Sequence, residues 1–245
     1  MELILSYWPA FFWLSIGRIV AVGFLTAISN LPYFKSRRIY THQEIQPAQS
    51  KREWLGIVFV PSDAIVLIAL MAFGLIRFTP NPDWTVHLQT ALVMILWVDL
   101  WMYFAHRMMH QSPRLWRMHR HHHLSKITQP VSSISFSFSE KFFVYSCAWL
   151  VGMAAISWVM PISFAGIVGY FSVYYFLSAG AHGNTAYYND RIEFLQSPAI
   201  HGLHHVKPNV NYGFWTTLYD RLFDTYKSPR ETQAFSTTNR PSAST

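Results

Sequence analysis

The sequence predicts an all-α, integral-membrane helical bundle of about four to five membrane helices, with a cytoplasmic histidine-rich helical cap holding a two-metal site. Three observations predict it. The 245 residues are 51% hydrophobic and only 13% Asp, Glu, Lys or Arg, against roughly 25% charged in an ordinary soluble domain. Several apolar runs approach the ~20 residues that a helix needs to cross a bilayer. Of 12 histidines, 10 fall in two windows, 106–123 and 182–205. This composition excludes a disordered chain, a coiled coil and a soluble enzyme with a charged surface.

The runs are taken in chain order. Residues 3–28 are apolar except for Arg18. Glu2 stands where a signal peptide carries basic residues, and the run is too long for one, so it is expected to stay as an anchor. Residues 54–76 enclose Asp63, and 86–105 enclose Asp99. Residues 142–160 and 162–179 form a pair joined at Pro161. Each is slightly short, so a re-entrant hairpin is an alternative to two spans. Residues 228–245 are rich in Ser, Thr and Pro and read as a disordered tail. The expected organisation is membrane anchor helices over 1–98, a catalytic domain over 99–227 and the tail.

The net charge of +7 is explained by placement. Lys35, Arg37, Arg38, Lys51 and Arg52 lie between the first two runs. Arg107, Arg114, Arg117, Arg120, Lys126 and Lys141 lie between the third and fourth. Arg191, Lys207, Arg221, Lys227, Arg230 and Arg240 follow the last. The positive-inside rule puts these segments, and the histidines with them, in the cytoplasm. Basic segments beside a membrane face anionic headgroups, so no nucleic acid is needed. A bacterial inner membrane and an endoplasmic reticulum membrane would look alike. The short chain without an obvious carboxy-terminal retrieval signal favours the bacterial one. The single cysteine, Cys147, excludes an intrachain disulfide and a thiolate zinc site; it reads as a small packed side chain.

The histidines form a pattern. His106 and His110 are spaced H-x-x-x-H. His119, His122 and His123 are spaced H-x-x-H-H, and His201, His204 and His205 repeat that spacing. His182 stands alone in His182-Gly183-Asn184. Residues at i, i+3 and i+4 share a helix face, so an i, i+4 imidazole pair can converge on one ion. In H-x-x-H-H the first and third rings can chelate together while the second turns toward a neighbouring site. These groups offer nine nitrogen donors, and one metal takes roughly four to six ligands, so two metals are expected. Asp99, Tyr103, His106 and His110 form one helical stripe, which places Asp99 as a partner of the ligating imidazoles. An ionisable group inside a span is a functional candidate by default. His121 falls outside the repeated pattern and reads as solvated or supporting. His42 and His87 are isolated, and Trp97, Trp101, Tyr103 and Phe104 read as packing or lipid-facing. Arg18 and Asp63 either pair within the bundle or sit near its interfaces. Imidazole without thiolate leaves iron, zinc, copper or manganese. A metal pair at the membrane surface faces lipid C–H bonds, whose cleavage needs a redox metal; this favours iron over zinc.

The stretch Asp99-Leu-Trp-Met-Tyr103-Phe-Ala-His106-Arg107-Met-Met-His110 resembles the D-x-x-x-Y-x-x-H-R-x-x-H signature of the fatty acid hydroxylase and sterol desaturase superfamily. The run from His119 to His123 resembles its second box. His182-Gly-Asn184 and Ser197-Pro198-Ala-Ile-His201-Gly-Leu-His204-His205 resemble its later boxes. Asn211-Tyr212-Gly213 and Tyr219-Asp220-Arg221-Leu222-Phe223-Asp224-Thr225 resemble its closing segment. The likeness covers about 130 residues. It departs at Tyr219, where the family has Trp, and at Asp224, where it has Gly. Asp tolerates the left-handed backbone that Gly supplies, though less easily.

The resemblance implies a membrane non-haem di-iron enzyme that uses O2 and external electrons, from cytochrome b5 or a ferredoxin with its reductase, to hydroxylate or desaturate a membrane lipid. That lipid is a fatty acyl chain, a sterol or a relative of these. It implies His106, His110, His119, His122, His123, His182, His201, His204 and His205 as metal ligands, with zinc able to load the site on purification. It implies Asp99, Tyr103, Asn184 and Asp220 as supporting residues. Two other classes compete: a non-redox metal-dependent lipid hydrolase or isomerase, active without O2, and a metal-transport protein, which would spread its sites across the spans.

Overall fold

In the computed structural model, residues 2–39, 45–185 and 193–231 are described. His42 and most of the expected tail lie outside them. Among the described residues the chain is helical, with two isolated β-bridges and no sheet. The helices are α1 (Glu2–Ser29), α2 (Pro32–Lys35), α3 (Pro47–Leu55), α4 (Ser62–Ala72), α5 (Trp84–Gln111), α6 (Pro113–His123), α7 (Ala148–Ile156), α8 (Phe164–Ala181), α9 (Pro198–Val206) and α10 (Leu218–Leu222). A π-helical turn, Glu140–Cys147, leads into α7.

Among the described residues, three helical stretches are long and apolar enough to cross a membrane: Pro47–Ala72, Trp84–Gln111 and Phe164–Ala181. The first run is one 28-residue helix, α1, whose Ser15–Ser29 part is a shorter apolar helix. The pair expected over 142–179 is unequal. The 8-residue π-helical turn and 9-residue α7 together rise less than about 26 Å, short of the ~30 Å hydrocarbon core, whereas α8 qualifies.

α5 shows how sequence spacing becomes orientation. Asp83 caps it by accepting from the N–H groups of Thr85 and Val86 at 3.0 and 3.1 Å. Leu88, Leu92, Leu96, Leu100 and Phe104 recur every four residues and are all exposed, an outward apolar stripe suited to lipid. Thr90, Met94, Val98, Met102 and Met109 face inward and are buried. α8 packs against both α1 and α5. α5 and α8 cross closely at Gly166, where an added Cβ would lie 2.6 Å from the carbonyl oxygen of His87. α5 runs unbroken through 98–99, where the anchor was expected to meet the catalytic domain.

Arg18 and Asp63 do pair. Arg18 Nη1 lies 3.7 Å from Asp63 Oδ2, and its guanidinium sits over the Tyr175 ring at 4.4 Å. Lys141 corrects the charge assignment. It is not an exposed cytoplasmic charge; it is buried, with Nζ 2.6 Å from Asp63 Oδ1. Asp63 also accepts from Ser146 and Tyr175. A carboxylate inside an apolar bundle has to find cations and donors, and it takes them from α1, the π-helical turn and α8.

The segment 127–136, with a short 3-10 turn at Pro130–Ile134, is buried, and side chains satisfy part of its polar groups. Glu53, fully buried on α3, accepts from Gln49, Gln129 and Ser132 at 2.9, 2.6 and 2.7 Å. Arg18 Nη2 donates to the Ser133 carbonyl. Gly56 admits this segment, because a Cβ there would lie 1.8 Å from the Ile134 carbonyl oxygen. Gly56→Ala is therefore expected to destabilise the protein by about 2–3 kcal/mol through overpacking. Thermal unfolding of the detergent-solubilised protein measures it; an unchanged midpoint would contradict the close packing.

Candidate metal centre

Four helices deliver the histidines. His106 and His110 occupy the last turns of α5. Ser112 breaks the helix and Pro113 opens α6, an N-terminal place proline favours, so the chain turns back with His119, His122 and His123. His182 caps the end of α8. Ser197 caps α9 by accepting from Ile200 N–H, and α9 carries His201, His204 and His205.

The nine rings gather into two neighbouring groups. His106, His110, His119, His123 and His204 form one, and His122, His182, His201 and His205 form the other; within each, one donor atom per residue lies within 4.8 Å of the rest. Each H-x-x-H-H triplet divides as its spacing predicts. His119 and His123 share the first group while His122 joins the second. His201 and His205 share the second while His204 joins the first. The groups touch, with the His123 and His205 rings 4.7 Å apart.

The hydrogen bonds orient the rings. The carbonyls of Tyr212, Ser135, Ser178 and Val210 accept from Nδ1 of His106, His122, His182 and His204 at 2.9, 3.2, 2.8 and 2.7 Å. A carbonyl only accepts, so each Nδ1 carries the proton and a neutral ring keeps its Nε2 lone pair. Burial pushes the imidazoles of His119, His122, His123, His201, His204 and His205 well below the usual histidine range, and His182 down to about 4. The rings are neutral at physiological pH. His122 and His182 thus point two lone pairs at each other with Nε2 atoms 3.4 Å apart. Nε2 separations of 2.9–3.1 Å recur at His106–His119, His119–His123, His123–His204, His182–His201 and His201–His205. Facing lone pairs repel unless a cation lies between them. Metal–nitrogen bonds of about 2.1 Å place neighbouring donors about 3.0–3.4 Å apart. The donor set fits two metal ions.

A cavity of about 400 Å³ opens onto the groups, within the size range of ligand sites. His106, His119, His122, His182 and His201 form part of its wall. Phe136, Tyr145, Tyr174, Phe214 and Trp215 make another part apolar and aromatic. Leu177 and Leu195, both exposed, also line it.

The other residues singled out in the sequence lie around this centre. Asp99 does not reach an imidazole. It accepts from the N–H groups of Trp215 and Thr216 at 2.7 and 3.1 Å and from Thr216 Oγ1 at 2.7 Å, so it pins the segment that forms the cavity wall. Tyr103 also stands apart from the rings' donor atoms: its hydroxyl accepts from Arg107 and meets Thr225 Oγ1, and its ring stacks on Phe223. Asp220 accepts from Tyr212 N, Gly213 N and Thr225 Oγ1, which holds in place the Tyr212 carbonyl that backs His106. Asn184 is buried with φ +48° and its carbonyl accepts from Ile39 N–H. Asp224 adopts φ +55°, the left-handed backbone that its family counterpart Gly adopts freely. His121 joins neither group, and His87 bonds to Ser163 Oγ.

Sequence reasoning missed Glu140. Fully buried at the start of the π-helical turn, it places Oε1 2.6 Å from His119 Nδ1. The signal was present, since Glu140 is the sole acidic residue between Asp99 and Asp190.

The family model described as fatty acid hydroxylase matches residues 91–225, more than half of the chain and the whole of this centre. The chain belongs to the fatty acid hydroxylase family. Curated relatives of this family member include the very-long-chain aldehyde decarbonylase GL1-4 of Oryza sativa subsp. indica, 29% identical over 56% of this chain and 23% of that protein. Protein CER1-like 1 of Arabidopsis thaliana is 29% identical over 59% of this chain and 24% of that protein. The Delta(7)-sterol 5(6)-desaturase of Candida glabrata is 25% identical over 84% of this chain and 57% of that protein. The chain thus spans from about a quarter to just over half the length of these relatives, all of them eukaryotic. No solved structure gives a significant match. The chain thus joins this family's domain to apolar helices long enough to cross a membrane and to two histidine groups that could hold metal.

Proposed function

We propose that the protein is an O2-dependent di-iron oxygenase that hydroxylates or desaturates a membrane lipid, a fatty acyl chain, a sterol or a relative of these, with external electrons. The observation that carries this reading is the contact between two imidazole groups and one apolar cavity. The nine histidines that form the groups would hold two irons. Iron held there supplies the redox chemistry with O2 that inert C–H bonds demand, which zinc lacks.

The chain's own residues do the rest. Phe136, Tyr145, Tyr174, Phe214 and Trp215 hold an alkyl segment against the histidine wall and exclude water from it. Leu177 and Leu195 give the cavity an apolar rim through which a lipid enters. Asp99 fixes the Phe214–Trp215 wall, and Asp220 and the left-handed Asn211 turn hold the carbonyl behind His106. Asn184 and Tyr103 support the same scaffold. Residues 1–98 anchor this centre and 99–227 form it. The site lies on the cytoplasmic side, as the basic segments indicate. α6 turns His119, His122 and His123 inward and Arg114, Arg117 and Arg120 outward. Half-buried Trp116 lies between, its ring 5.1 and 5.4 Å from those of His110 and His123. That basic face suits an acidic electron carrier such as cytochrome b5 or a ferredoxin.

The test is untargeted lipid mass spectrometry on membranes expressing the wild type or His122→Ala, with and without O2. The expected result is an O2-dependent product, absent from the variant, that has gained one oxygen or lost two hydrogens. A product that instead lost its carbonyl carbon would align the protein with relatives named aldehyde decarbonylases. Product formed equally without O2 and reductant would overturn the oxygenase reading in favour of a hydrolase or isomerase.

A further inference from the structure

Among the described residues, one of the nine imidazoles is backed by a carboxylate. His106, His122, His182 and His204 donate from Nδ1 to backbone carbonyls, whereas His119 Nδ1 faces Glu140 Oε1 at 2.6 Å. The site therefore has an asymmetry that equal histidine boxes do not require: among the described residues, the five-histidine group has an acidic partner and the four-histidine group has none.

The local fold is built for this contact. Glu140 opens the π-helical turn Glu140–Cys147. Its N–H donates to Ser137 Oγ at 3.2 Å. A π-helix has a wider turn, closed by i to i+5 hydrogen bonds, so residues five apart come onto one face. Tyr145, five residues on, faces the same carboxyl group and also lines the cavity. Glu140 is fully buried. Burying a carboxyl group is costly, and such a group marks a constraint other than packing.

We propose that Glu140 is a positioning residue for one of two unequal metal positions: it turns His119 Nε2 into the five-histidine group and raises that ring's donor strength. The proposal rests on the two-metal reading. An Nδ1–H bonded to a carboxylate gives the ring more anionic character than one bonded to a carbonyl. The ion among His106, His110, His119, His123 and His204 then differs electronically from its neighbour, and the difference depends on Glu140.

The experiment compares the wild type, Glu140→Gln and Glu140→Ala, each purified in detergent and titrated anaerobically with ⁵⁷Fe(II) alone. Metal per chain, dissociation constants and Mössbauer spectra are read. Gln keeps an acceptor oxygen for His119 but no charge. It is expected to hold two irons per chain while shifting the parameters of one iron component and leaving the other unchanged. Ala removes the acceptor and is expected to weaken one iron position about 10–100-fold while sparing the other. The proposal is overturned if Gln gives the wild-type spectrum, if it shifts both components alike, or if Ala binds both irons as tightly as the wild type. Should Ala fail to fold, the Gln spectra decide. A wild type that binds fewer than two irons would instead overturn the two-metal reading, and this proposal with it.

Discussion

Alanine at His122 or at His204 is expected to abolish turnover and to lower bound metal from two ions per chain to one, each variant emptying a different position. His122 belongs with His182, His201 and His205, and His204 with His106, His110, His119 and His123. In each variant the other group keeps its donors, so the folded chain retains an ion there. Elemental analysis of the purified variants gives the stoichiometry, and lipid mass spectrometry gives the activity. The two residues sit on different helices, α6 and α9, and each is buried against a backbone carbonyl, Ser135 for His122 and Val210 for His204. Loss of either leaves an acceptor without its donor, at about 1–3 kcal/mol. Full activity with two ions in both variants would refute the ligand assignment.

Asp99→Ala is expected to lower turnover about 100-fold while leaving both metals bound. The carboxylate accepts three hydrogen bonds from Trp215 and Thr216. Alanine leaves two N–H groups unpaired beside the cavity, and the Phe214–Trp215 wall loses its fixed position. A displacement of ~1 Å at a reacting centre costs about 100-fold in rate. Asp99→Asn keeps one acceptor oxygen and is expected to fall between. Comparing metal content with turnover separates this role from ligand support. If Asp99→Ala loses metal in proportion to activity, the carboxylate acts on the imidazoles and not on the wall.

These two predictions divide what was legible in the sequence from what was not. The histidine groups were legible because their logic is local. Rings four residues apart on one helix share a face and can chelate together, while the ring just before the second can turn to a neighbouring site. The helical class was legible from the apolar runs and the scarcity of charge. Asp99 was misplaced by the same periodicity. The stripe Asp99, Tyr103, His106, His110 is real along α5, but a helix stripe does not specify which neighbour meets each residue. His106 meets α6, α9 and the Tyr212 carbonyl, whereas Asp99, about two turns earlier, meets the chain returning at 215–216. Lys141 was misread for a related reason: a lysine beside an apolar run reads as an interfacial charge unless its buried partner, 78 positions earlier, is known. Glu140 was overlooked because one acidic residue carries no periodicity.

By itself the sequence determined a membrane helical bundle, a family, and a set of nine imidazoles with the right local pairings, because these follow from composition and from the 3.6-residue turn. Tertiary structure alone decided how five and four histidines combine across α5, α6, α8 and α9, which carbonyl or carboxylate orients each ring, and where the apolar cavity meets them. The physical reason is distance along the chain. Periodicity governs contacts within a few residues, whereas metal geometry depends on side chains as far apart in sequence as His106 and His204, brought together only when the helices pack.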